Sequence, residues 1–529
     1  MKTKFFLFLI ILISIFIRLP YTNIPLFHAD EAIYALVAQD FLNGTCIYQG
    51  VWDHKPPGIY FLYALIFKLF SPYTMIYIRL FTIIWTCVTL YTIFSLGRYL
   101  YNEKVGLYSG LFFAIFSTTY LNKEILAANS EIFMILPYTL CIYYFIKGYE
   151  LKKPIFIIVS GIWAGMAILI KQPAIFNLAA IFFYLLVVPK ILRIKFNFKE
   201  TLSDLFYFLM GILLIFLPVV IYFFIHGAFF NFINEAFFFS LLYVSTSPES
   251  LFTYFSRSLS DCFLPNILIW CLSISSLIFM GINLFSNKKE DKLSLNNQNH
   301  RNFLVMIWAI FSFVGVAIGN KFMMHYFVQM FPVNFLLSGY GINVLLKKLS
   351  LKEDSLSSPY PYPYGKILII SFLVLGTILP FQKYHGTIGL FKRYYYLITK
   401  KTPFLSREEI VASYIMKNSK PNQKIFVWGN APQIYFLSHR NPASKIVFNN
   451  VIVGTYNFPK HIEKIFLDQV ISDLHQNKPL FFVDAVPDDD RLIEKLNIPY
   501  YPSLNSFLNK NYQYAYKFKD IIIYNLKKD

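Results

Sequence analysis

The chain has 529 residues, of which 56% are hydrophobic and 19% aromatic, while charged residues make up only 15%. Soluble domains carry about 25% charged residues, so this composition excludes an ordinary soluble protein and predicts a polytopic α-helical membrane protein. The excess of 48 Lys and Arg over 29 Asp and Glu gives a net charge of +19. A basic protein attracts phosphate, but these cations lie in short segments between apolar runs, which argues against nucleic acid as the partner.

The first 385 residues contain a series of apolar runs that reach or approach the roughly 20 residues needed to cross a bilayer. The predicted spans are 5–21, 75–97, 105–121, 131–147, 154–170, 173–189, 204–226, 262–285, 303–319, 324–346 and 366–383. The first run follows Lys2 and Lys4 but has no small-residue cleavage site, so we interpret it as an uncleaved span. A further run, 59–70, is too short to cross and follows Pro56-Pro57, which favours an interfacial or re-entrant helix.

The orientation of these spans follows from the basic residues of the loops. With the N-terminus in the cytoplasm, the cytoplasmic loops hold more than twice as many Lys and Arg as the opposite loops, as the positive-inside rule requires. An odd number of spans then exports the C-terminal segment. The unusual acidic and histidine residues fall on the exported side, at a membrane edge where ionisable groups are functional candidates by default.

The C-terminal segment changes character at about residue 400. Its predicted elements are strands at 424–429, 445–448 and 479–486, an amphipathic helix at 461–477 and a hairpin or two short strands at 512–526. A proline-rich linker, 357–365, is predicted to be extended. We therefore expect a transmembrane catalytic domain at 1–385, whose exported loop 22–74 carries interfacial helices, and a small extracytoplasmic α/β domain at 386–529.

Two acidic residues open the helix-like stretch ADEAIYALVAQDFLNG at 29–44. Asp30 and Glu31 can simply cap an interfacial helix at its N-terminus. Alternatively, Asp30 projects into a cavity and takes a proton from a hydroxyl or amine acceptor. The residues themselves leave both interpretations open.

The stretch VWDHKPPGIY, residues 51–60, places Asp53, His54 and Lys55 directly before an apolar run. A charged collar that anchors the short helix is the structural interpretation. The functional one is a cation that receives a phosphate, because a phosphate leaving group needs fixed positive charge in the transition state. Further candidates for that charge are Lys171, Lys321 and His325.

Two more ionisable residues lie where predicted exported turns meet spans. Glu131 opens a span, where a carboxylate also favours the helix dipole. Lys171 follows the uncharged run GIWAGMAILI, and snorkelling to the interface is its structural interpretation. A divalent cation is left open, with His28 and His54 as the candidate ligands, since no spacing typical of a tight zinc site occurs.

Five motifs in this order resemble those of the GT-C glycosyltransferases, in particular the protein O-mannosyltransferase-like group that includes the bacterial lipid A aminoarabinose transferases. The motifs are HADEAIYA (28–35), WDHKPPGIYFLYAL (52–65), LAANSEIF (126–133), ILIKQPAIF (168–176) and NKFMMHYFVQMFP (320–332). They lie on the predicted exported face and cover roughly residues 15–345. The resemblance implies a GT-C fold of about 11 transmembrane helices with interfacial helices.

The resemblance also implies an activity, namely inverting transfer of a hexose or pentose from a polyprenyl-phosphate-linked donor. The acceptor would be a lipid, glycan or protein outside a bacterial cytoplasmic membrane, and membrane lipids would be partners. Asp30 matches the family's catalytic aspartate, Lys55 its lysine beside the carrier phosphate, and Glu131 its second acidic residue. Lys171 matches the basic residue of the third exported turn, and His325 and Tyr326 fall in the last motif. The remaining predicted substrate-binding residues are Glu31, Asp53, His54 and Lys321.

This sequence departs from the aminoarabinose transferases at one informative place. Those enzymes have a Glu before the motif lysine, whereas His54 stands there in this chain and Pro-Pro-Gly follows. The departure argues against lipid A aminoarabinose transfer. The long aqueous insert of the eukaryotic mannosyltransferases is also missing, which favours a bacterial or archaeal relative.

Two other classes of function remain open from the sequence. A lipid or polysaccharide flippase would use membrane charges to bind a head group, but transporters often show two related halves and none is seen. A non-catalytic protein of cell-envelope assembly would use the exported domain for interaction.

Overall fold

The computed structural model describes residues 2–23, 26, 28–119, 126–191, 197–246, 250–286, 292–319, 322–354, 363–399, 405–454 and 457–527. These residues are mostly helical, with a small sheet near the C-terminus. In chain order the α-helices are α1 (Lys2–Arg18), α2 (Ala29–Leu42), α3 (Gly58–Leu69), α4 (Ile76–Leu100), α5 (Glu103–Phe116), α6 (Ser130–Leu151), α7 (Pro154–Ile170), α8 (Ile175–Ile191), α9 (Phe198–Ile225), α10 (Phe229–Ile233), α11 (Phe239–Ser245), α12 (Leu251–Ser258), α13 (Ile267–Ser286), α14 (Lys292–Ala317), α15 (Phe331–Asp354), α16 (Pro363–Tyr384), α17 (Thr387–Thr399), α18 (Arg407–Lys417), α19 (Gln433–Ser438), α20 (Lys460–Asn477) and α21 (Pro502–Asn511).

Each predicted span overlaps one of the longer α-helices, and the short run at 59–70 is α3. Among the described residues, six segments are long and apolar enough to cross a membrane. They are Lys2–Tyr21, Ile76–Leu100, Ser130–Leu151, Phe198–Ile225, Phe252–Leu284 and Gln298–Ala317. Helices α7 and α8 are apolar but shorter. The chain is a multi-pass membrane protein, while the figure of eleven crossings stays a prediction.

Two helices begin at or beside prolines in places where the sequence predicted otherwise. The span predicted at 324–346 begins instead with a 3-10 turn, Met324–Met330, and its α-helix starts at Phe331 with Pro332 next. The linker predicted to be extended gives way to α16 at Pro363, while residues 355–362 lie outside the described part. Proline is favoured in the first turn of a helix, because its missing N–H would have no intrahelical partner there.

The described chain divides into two compact units. The first consists of Met1–Thr22, Leu80–Val219 and Leu251–Tyr395. Helices α7 and α9 approach closely in this unit at Gly161 and Gly211. A Cβ at Gly161 would lie 2.0 Å from the Phe208 carbonyl oxygen, and one at Gly211 would lie 2.1 Å from that of Ile158. Glycine at both positions is therefore a packing requirement of this helix pair.

The second unit consists of Asn23–Arg79, Val220–Ser250 and Tyr396–Asp529. It contains the strands β1 (Ile425–Trp428), β2 (Phe481–Asp484), β3 (Tyr512–Phe518) and β4 (Ile521–Leu526). Their order in the sheet is β1-β2-β4-β3, with β1 parallel to β2 and the other pairs antiparallel. Every residue of β1 and β2 is buried, which explains their continuous apolar sequences.

One strand predicted in this unit is wrong. Residues 445–448 form no strand, because the Lys445 carbonyl accepts a hydrogen bond from the Trp52 N–H at 2.8 Å. The backbone of this segment is thus paired with the first loop and not with the sheet. The first loop and the C-terminal segment belong to the same compact unit. The division of the chain into domains at 1–385 and 386–529 stays a prediction.

Candidate functional site

Helix α2 carries the predicted catalytic carboxylate in its first turn. The cap of this helix is His28, whose ring Nδ1 accepts a hydrogen bond from the Asp30 N–H at 3.3 Å. The interpretation of Asp30 and Glu31 as the N-cap is therefore wrong. The Tyr34 hydroxyl donates to Asp30 Oδ2 at 3.3 Å, and the Asp30 side chain is 26% exposed. Asp30 is thus oriented by its neighbours while still reaching solvent.

The adjacent carboxylate has a different environment. Arg79 Nη2 donates to Glu31 Oε2 at 2.9 Å, and the two side chains are 3% and 0% exposed. This buried ion pair joins α2 to the first turn of α4 within the second unit. Glu31, predicted to bind substrate, is placed where it holds α2 in position. Sequence reasoning missed Arg79, although a lone cation opening the apolar α4 was the available signal.

The segment Asp53-His54-Lys55, which we call the DHK box, is a connected ionic group. Asp53 Oδ1 accepts from the His54 N–H at 2.8 Å, and the Tyr60 hydroxyl of α3 donates to Asp53 Oδ2 at 2.7 Å. Burial works to raise the pKa of Asp53, but the Lys55 charge and the hydrogen bonds from His54 and Tyr60 outweigh it and lower the pKa to about 2. Asp53 is therefore an anion that fixes the box.

His54 lies between an anion and a cation in the box. Lys55 Nζ is 3.2 Å from His54 Nε2, and the Asp53 carboxylate is 3.3 Å from His54 Nδ1. An ammonium can only donate, so Nε2 accepts and the ring proton is on Nδ1. Burial, followed by the Lys55 charge, lowers the pKa of His54, while the charges of Asp53 and Asp30 act in the opposite sense. A neutral imidazole therefore faces Lys55.

Two successive residues before the DHK box are held by carboxylates, one through its backbone and the other through its side chain. The Val51 N–H donates to Asp40 Oδ2 on α2 at 2.9 Å, and the Trp52 indole donates to Glu235 Oε2 at 2.6 Å. A Cβ at Gly50 would lie 1.7 Å from Asp40 Oδ2, so this close approach requires glycine. Glu235 was also missed, although it is the single acidic residue in the aromatic run FFNFINEAFFFS.

The first unit brings four of the predicted residues together. Lys171 donates to Glu131, and His325 Nε2 lies 3.6 Å from Glu131 Oε1. Lys171 Nζ also lies 4.8 Å from the centre of the Tyr326 ring, within cation–π range. The Lys171 and Glu131 side chains are 8% and 3% exposed. Lys321, predicted to join them, lies outside the described residues.

Local backbone structure explains this second cluster. Glu131 is in the first turn of α6, where the helix dipole favours a carboxylate. Lys171 stands between the end of α7 and a 3-10 turn, Gln172–Ala174. The side-chain amide of Gln329 donates to the Pro173 carbonyl at 3.2 Å, which ties the His325 segment to the Lys171 turn. Gln329 carries no charge, and the sequence offered no signal for this role.

The residues proposed as metal ligands have other partners. Within the described ranges, no group of three or more His, Cys, Asp or Glu side chains lies close enough together to hold an ion. His28 caps α2, and His54 lies between Asp53 and Lys55.

Comparisons with known proteins found one family model and several solved structures that resemble this chain. Residues 54–222 match the model of the dolichyl-phosphate-mannose-protein mannosyltransferase family. This range contains the DHK box from His54, Glu131 and Lys171, but neither Asp30 nor His325. No curated protein matches the sequence.

Two proteins of known structure illustrate the structural likeness. ArnT from Cupriavidus metallidurans bound to undecaprenyl phosphate has a TM-score of 0.61 and 14% identity, over 98% of this chain and 97% of that chain. Its apo structure gives 0.61 and 13%, over 99% and 98%. The archaeal oligosaccharyltransferase AglB from Archaeoglobus fulgidus, in complex with an inhibitory peptide and a dolichol-phosphate, gives 0.55 and 11%, over 100% and 74%. At these identities the likeness is one of fold.

Proposed function

We infer that this chain, which has the fold of the GT-C glycosyltransferases, moves a sugar from a polyprenyl-phosphate-linked donor to an acceptor on the extracytoplasmic face of a bacterial membrane. The observation that carries the proposal is the second unit's combination of a partly exposed carboxylate, Asp30, with the ammonium of Lys55, which the DHK box holds in place. Transfer from a phosphate carrier needs both a base for the acceptor and a cation for the leaving phosphate. The mannosyltransferase family match and the polyprenyl phosphate bound by ArnT support the same chemistry.

Asp30 acts as the general base in this proposal. Its carboxylate removes the proton of an acceptor hydroxyl, whose oxygen then bonds to the anomeric carbon from the side opposite the phosphate. The bond between that carbon and the phosphate oxygen breaks, so the sugar is transferred with inversion and the carrier phosphate leaves as an anion. A positioned general base contributes about 10²–10⁴-fold to such a rate.

Lys55 receives the carrier phosphate. Neutral His54 holds the ammonium through Nε2 at 3.2 Å without adding a charge of its own, and buried Asp53 fixes the backbone of the box. Preorganised charge of this kind stabilises a developing anion without reorganisation during the reaction.

Lys171 is proposed as a further cation for the donor. Glu131, expected from the resemblance to be a second catalytic carboxylate, is proposed to act through Lys171, whose ammonium it holds. His325 and Tyr326 complete the surroundings of that ammonium, and Lys321 is proposed as an additional donor contact.

The test uses membranes that contain the full chain and a radiolabelled polyprenyl-phosphate sugar. Asp30→Asn is expected to lower transfer by about 10²–10⁴-fold, while Lys55→Ala raises the donor concentration needed for half-maximal rate. The exposed carboxylate of Asp489 provides the matched control, Asp489→Asn, which should transfer sugar at the unchanged rate. Unaltered transfer by Asp30→Asn would refute the base assignment. Movement of the lipid across the membrane with no transfer product would favour a flippase instead.

A further inference from the structure

A polar cavity of about 420 Å³ lies within the second unit. Its walls come from the C-terminal half of α2, the turn at 43–51, the segment 441–445 and α20. The cavity is separate from the DHK box and from Asp30, neither of which lines it. The resemblance to glycosyltransferases assigns no residue to it.

The cavity is lined by amides, hydroxyls, carboxylates and ammonium groups, with few aliphatic side chains. Six carry amides, which both donate and accept hydrogen bonds, and Thr45 and Ser444 add hydroxyls. Two carboxylates, Asp40 and Asp473, are matched by the two ammonium groups of Lys424 and Lys445. The aliphatic lining residues are Leu36, Val51, Pro442 and Ala443.

This lining discriminates between classes of ligand. A lipid chain needs predominantly apolar walls, and a phosphate or other anion needs an excess of positive charge. Vicinal hydroxyls, by contrast, need closely spaced groups that donate and accept in alternation, which is what amides and carboxylates supply together. The chemistry therefore matches a neutral saccharide.

The walls are held by hydrogen bonds of their own. Asp473 Oδ2 accepts from the Ser444 hydroxyl at 2.8 Å and from the Lys445 N–H at 3.1 Å. Asn477 donates to the Ala443 carbonyl at 2.7 Å and accepts from Lys424 Nζ at 2.9 Å. The cavity is thus preformed, which reduces the ordering cost of binding.

Two amide side chains at the rim of the cavity are exposed and are not used to hold its walls. Asn43 and Asn441 are exposed, and their side chains form no hydrogen bond with the residues that the structure describes. Their donors and acceptors are available to a ligand without breaking a wall contact. They are therefore the side chains through which binding is best tested.

The position of the cavity fixes how a ligand would reach the reaction. Asp30 and Asp40 belong to the same helix, α2, and ten residues of α-helix span about 15 Å. This separation exceeds the length of a single sugar ring. A ligand whose hydroxyl reacts at Asp30 must therefore be a chain of several sugars if it also fills the cavity.

We propose that this cavity binds a remote sugar unit of a glycan acceptor. The proposal rests on the proposed function and narrows the acceptor from a lipid, glycan or protein to a glycan. Binding energy from parts of a substrate that do not react is used to orient the reacting group. Long glycans should accordingly be better acceptors than the monosaccharides at their ends.

The binding test presents the detergent-solubilised full chain to an array printed with bacterial surface oligosaccharides, monosaccharides and short peptides. We expect oligosaccharides to bind more tightly than monosaccharides and peptides. The double variant Asn43→Ala/Asn441→Ala should weaken that binding by about tenfold or more, as expected for the loss of two hydrogen bonds. The matched control is Gln513→Ala, an exposed amide on β3 outside the cavity, which should bind like the unaltered chain.

Three results would overturn the proposal, and all are visible on the same array. They are no oligosaccharide binding, oligosaccharide binding that the double variant retains in full, and preferential binding of peptides. Thermal unfolding of the double variant controls for folding, because both substituted side chains are exposed and should leave Tm unchanged. A second double variant, Asn43→Asp/Asn441→Asp, keeps the size of both rim side chains while removing their donors and should also bind weakly.

Asp30→Asn separates this proposal from the proposed function. It should lose sugar transfer and keep oligosaccharide binding, since Asp30 does not line the cavity. Cavity-dependent glycan binding in a chain that never transfers sugar would refute the reaction and leave the saccharide site intact. Sugar transfer with an acceptor preference that the cavity variants do not alter would refute the cavity assignment and leave the reaction intact.

Discussion

The two units differ in how far they expose the carboxylates that were predicted to be catalytic. In the first unit, Glu131 is buried against Lys171 and His325, so its charge is offset where it stands. In the second unit, Asp30 is 26% exposed and Glu31, the next residue, is fully buried against Arg79. Because a buried pair is costly to leave incomplete, Glu131 and Glu31 hold structure. Asp30 is the carboxylate that we propose for proton transfer. Burial therefore separates carboxylates that the sequence presents as equivalents.

The largest effect is expected from breaking the buried pair of the first unit. Lys171→Ala leaves Glu131 without its cation and should lower the free energy of unfolding by about 3–5 kcal/mol. The measurement is Tm of the detergent-solubilised chain. Lys104→Ala, at an exposed lysine of the same unit, is the control. A second variant, Glu131→Gln/Lys171→Met, should recover most of the loss. A Tm of Lys171→Ala equal to that of the control would show that the pair is not a structural element.

Tyr60→Phe tests how much a buried anion of the second unit, Asp53, contributes to stability. It removes a hydrogen bond to the Asp53 anion and should cost about 1.5–3 kcal/mol at neutral pH. The pKa of Asp53 lies at about 2 in the folded chain against an ordinary 3.8. Its stabilising effect is therefore complete above about pH 4 and is lost as the pH falls towards 2.

The variant should consequently show a weaker loss of stability over that acidic range, measured as Tm against pH. Tyr500→Phe, at a half-exposed tyrosine of the same unit, serves as the control. An acid profile of Tyr60→Phe identical to that of the unaltered chain would contradict the assignment of Asp53 as the buried anion.

His54 provides a smaller effect with its own pH range. Burial lowers its pKa, so as the pH falls below 6.5 the unfolded chain binds more protons at this residue than the folded chain does. Stability from this group is complete above its ordinary pKa of 6.5 and is lost as the pH falls below that value. His54→Asn should flatten the dependence of Tm on pH between about 7 and 5. An unchanged slope would indicate that His54 is protonated in the folded chain.

The smallest effect on stability is expected from an ion pair that is exposed to solvent. Lys152 and Glu200 form an ion pair of 2.9 Å in which the side chains are 62% and 56% exposed. Lys152→Ala should leave Tm almost unchanged, because water and salt screen an exposed pair. A loss comparable to that of Lys171→Ala would undo the argument that burial decides the strength of these pairs.

Periodicity and composition predicted most of the fold. The helical membrane architecture with a small C-terminal sheet is confirmed, and α2, α3 and α20 lie where their spacing indicated. These features depend on local sequence alone. The strand at 445–448 failed because its backbone partner, Trp52, lies almost 400 residues away along the chain, where no local pattern can reveal it.

The sequence selected candidate site residues but gave no information on which of them pair with one another. Glu131, Lys171 and His325 were selected as isolated charges near membrane edges, and the structure groups them. That Glu131 neutralises Lys171 depends on residues 40 positions apart. His28 as the cap of α2 could not be foreseen, because the preferred capping residues Asp and Asn stand nearby in the sequence.

The hydrogen bonds that hold Val51 and Trp52 limit which segments can be exchanged between related proteins. Trp52 is held by the Lys445 carbonyl and Val51 by Asp40, an approach that Gly50 alone permits. The C-terminal segment is thus a structural partner of the first loop and not an interchangeable appendage. A chimaera that exchanges residues 396–529 between relatives should assemble only when the matching 40–55 segment travels with them. Natural variation in the two stretches should accordingly be inherited as one block.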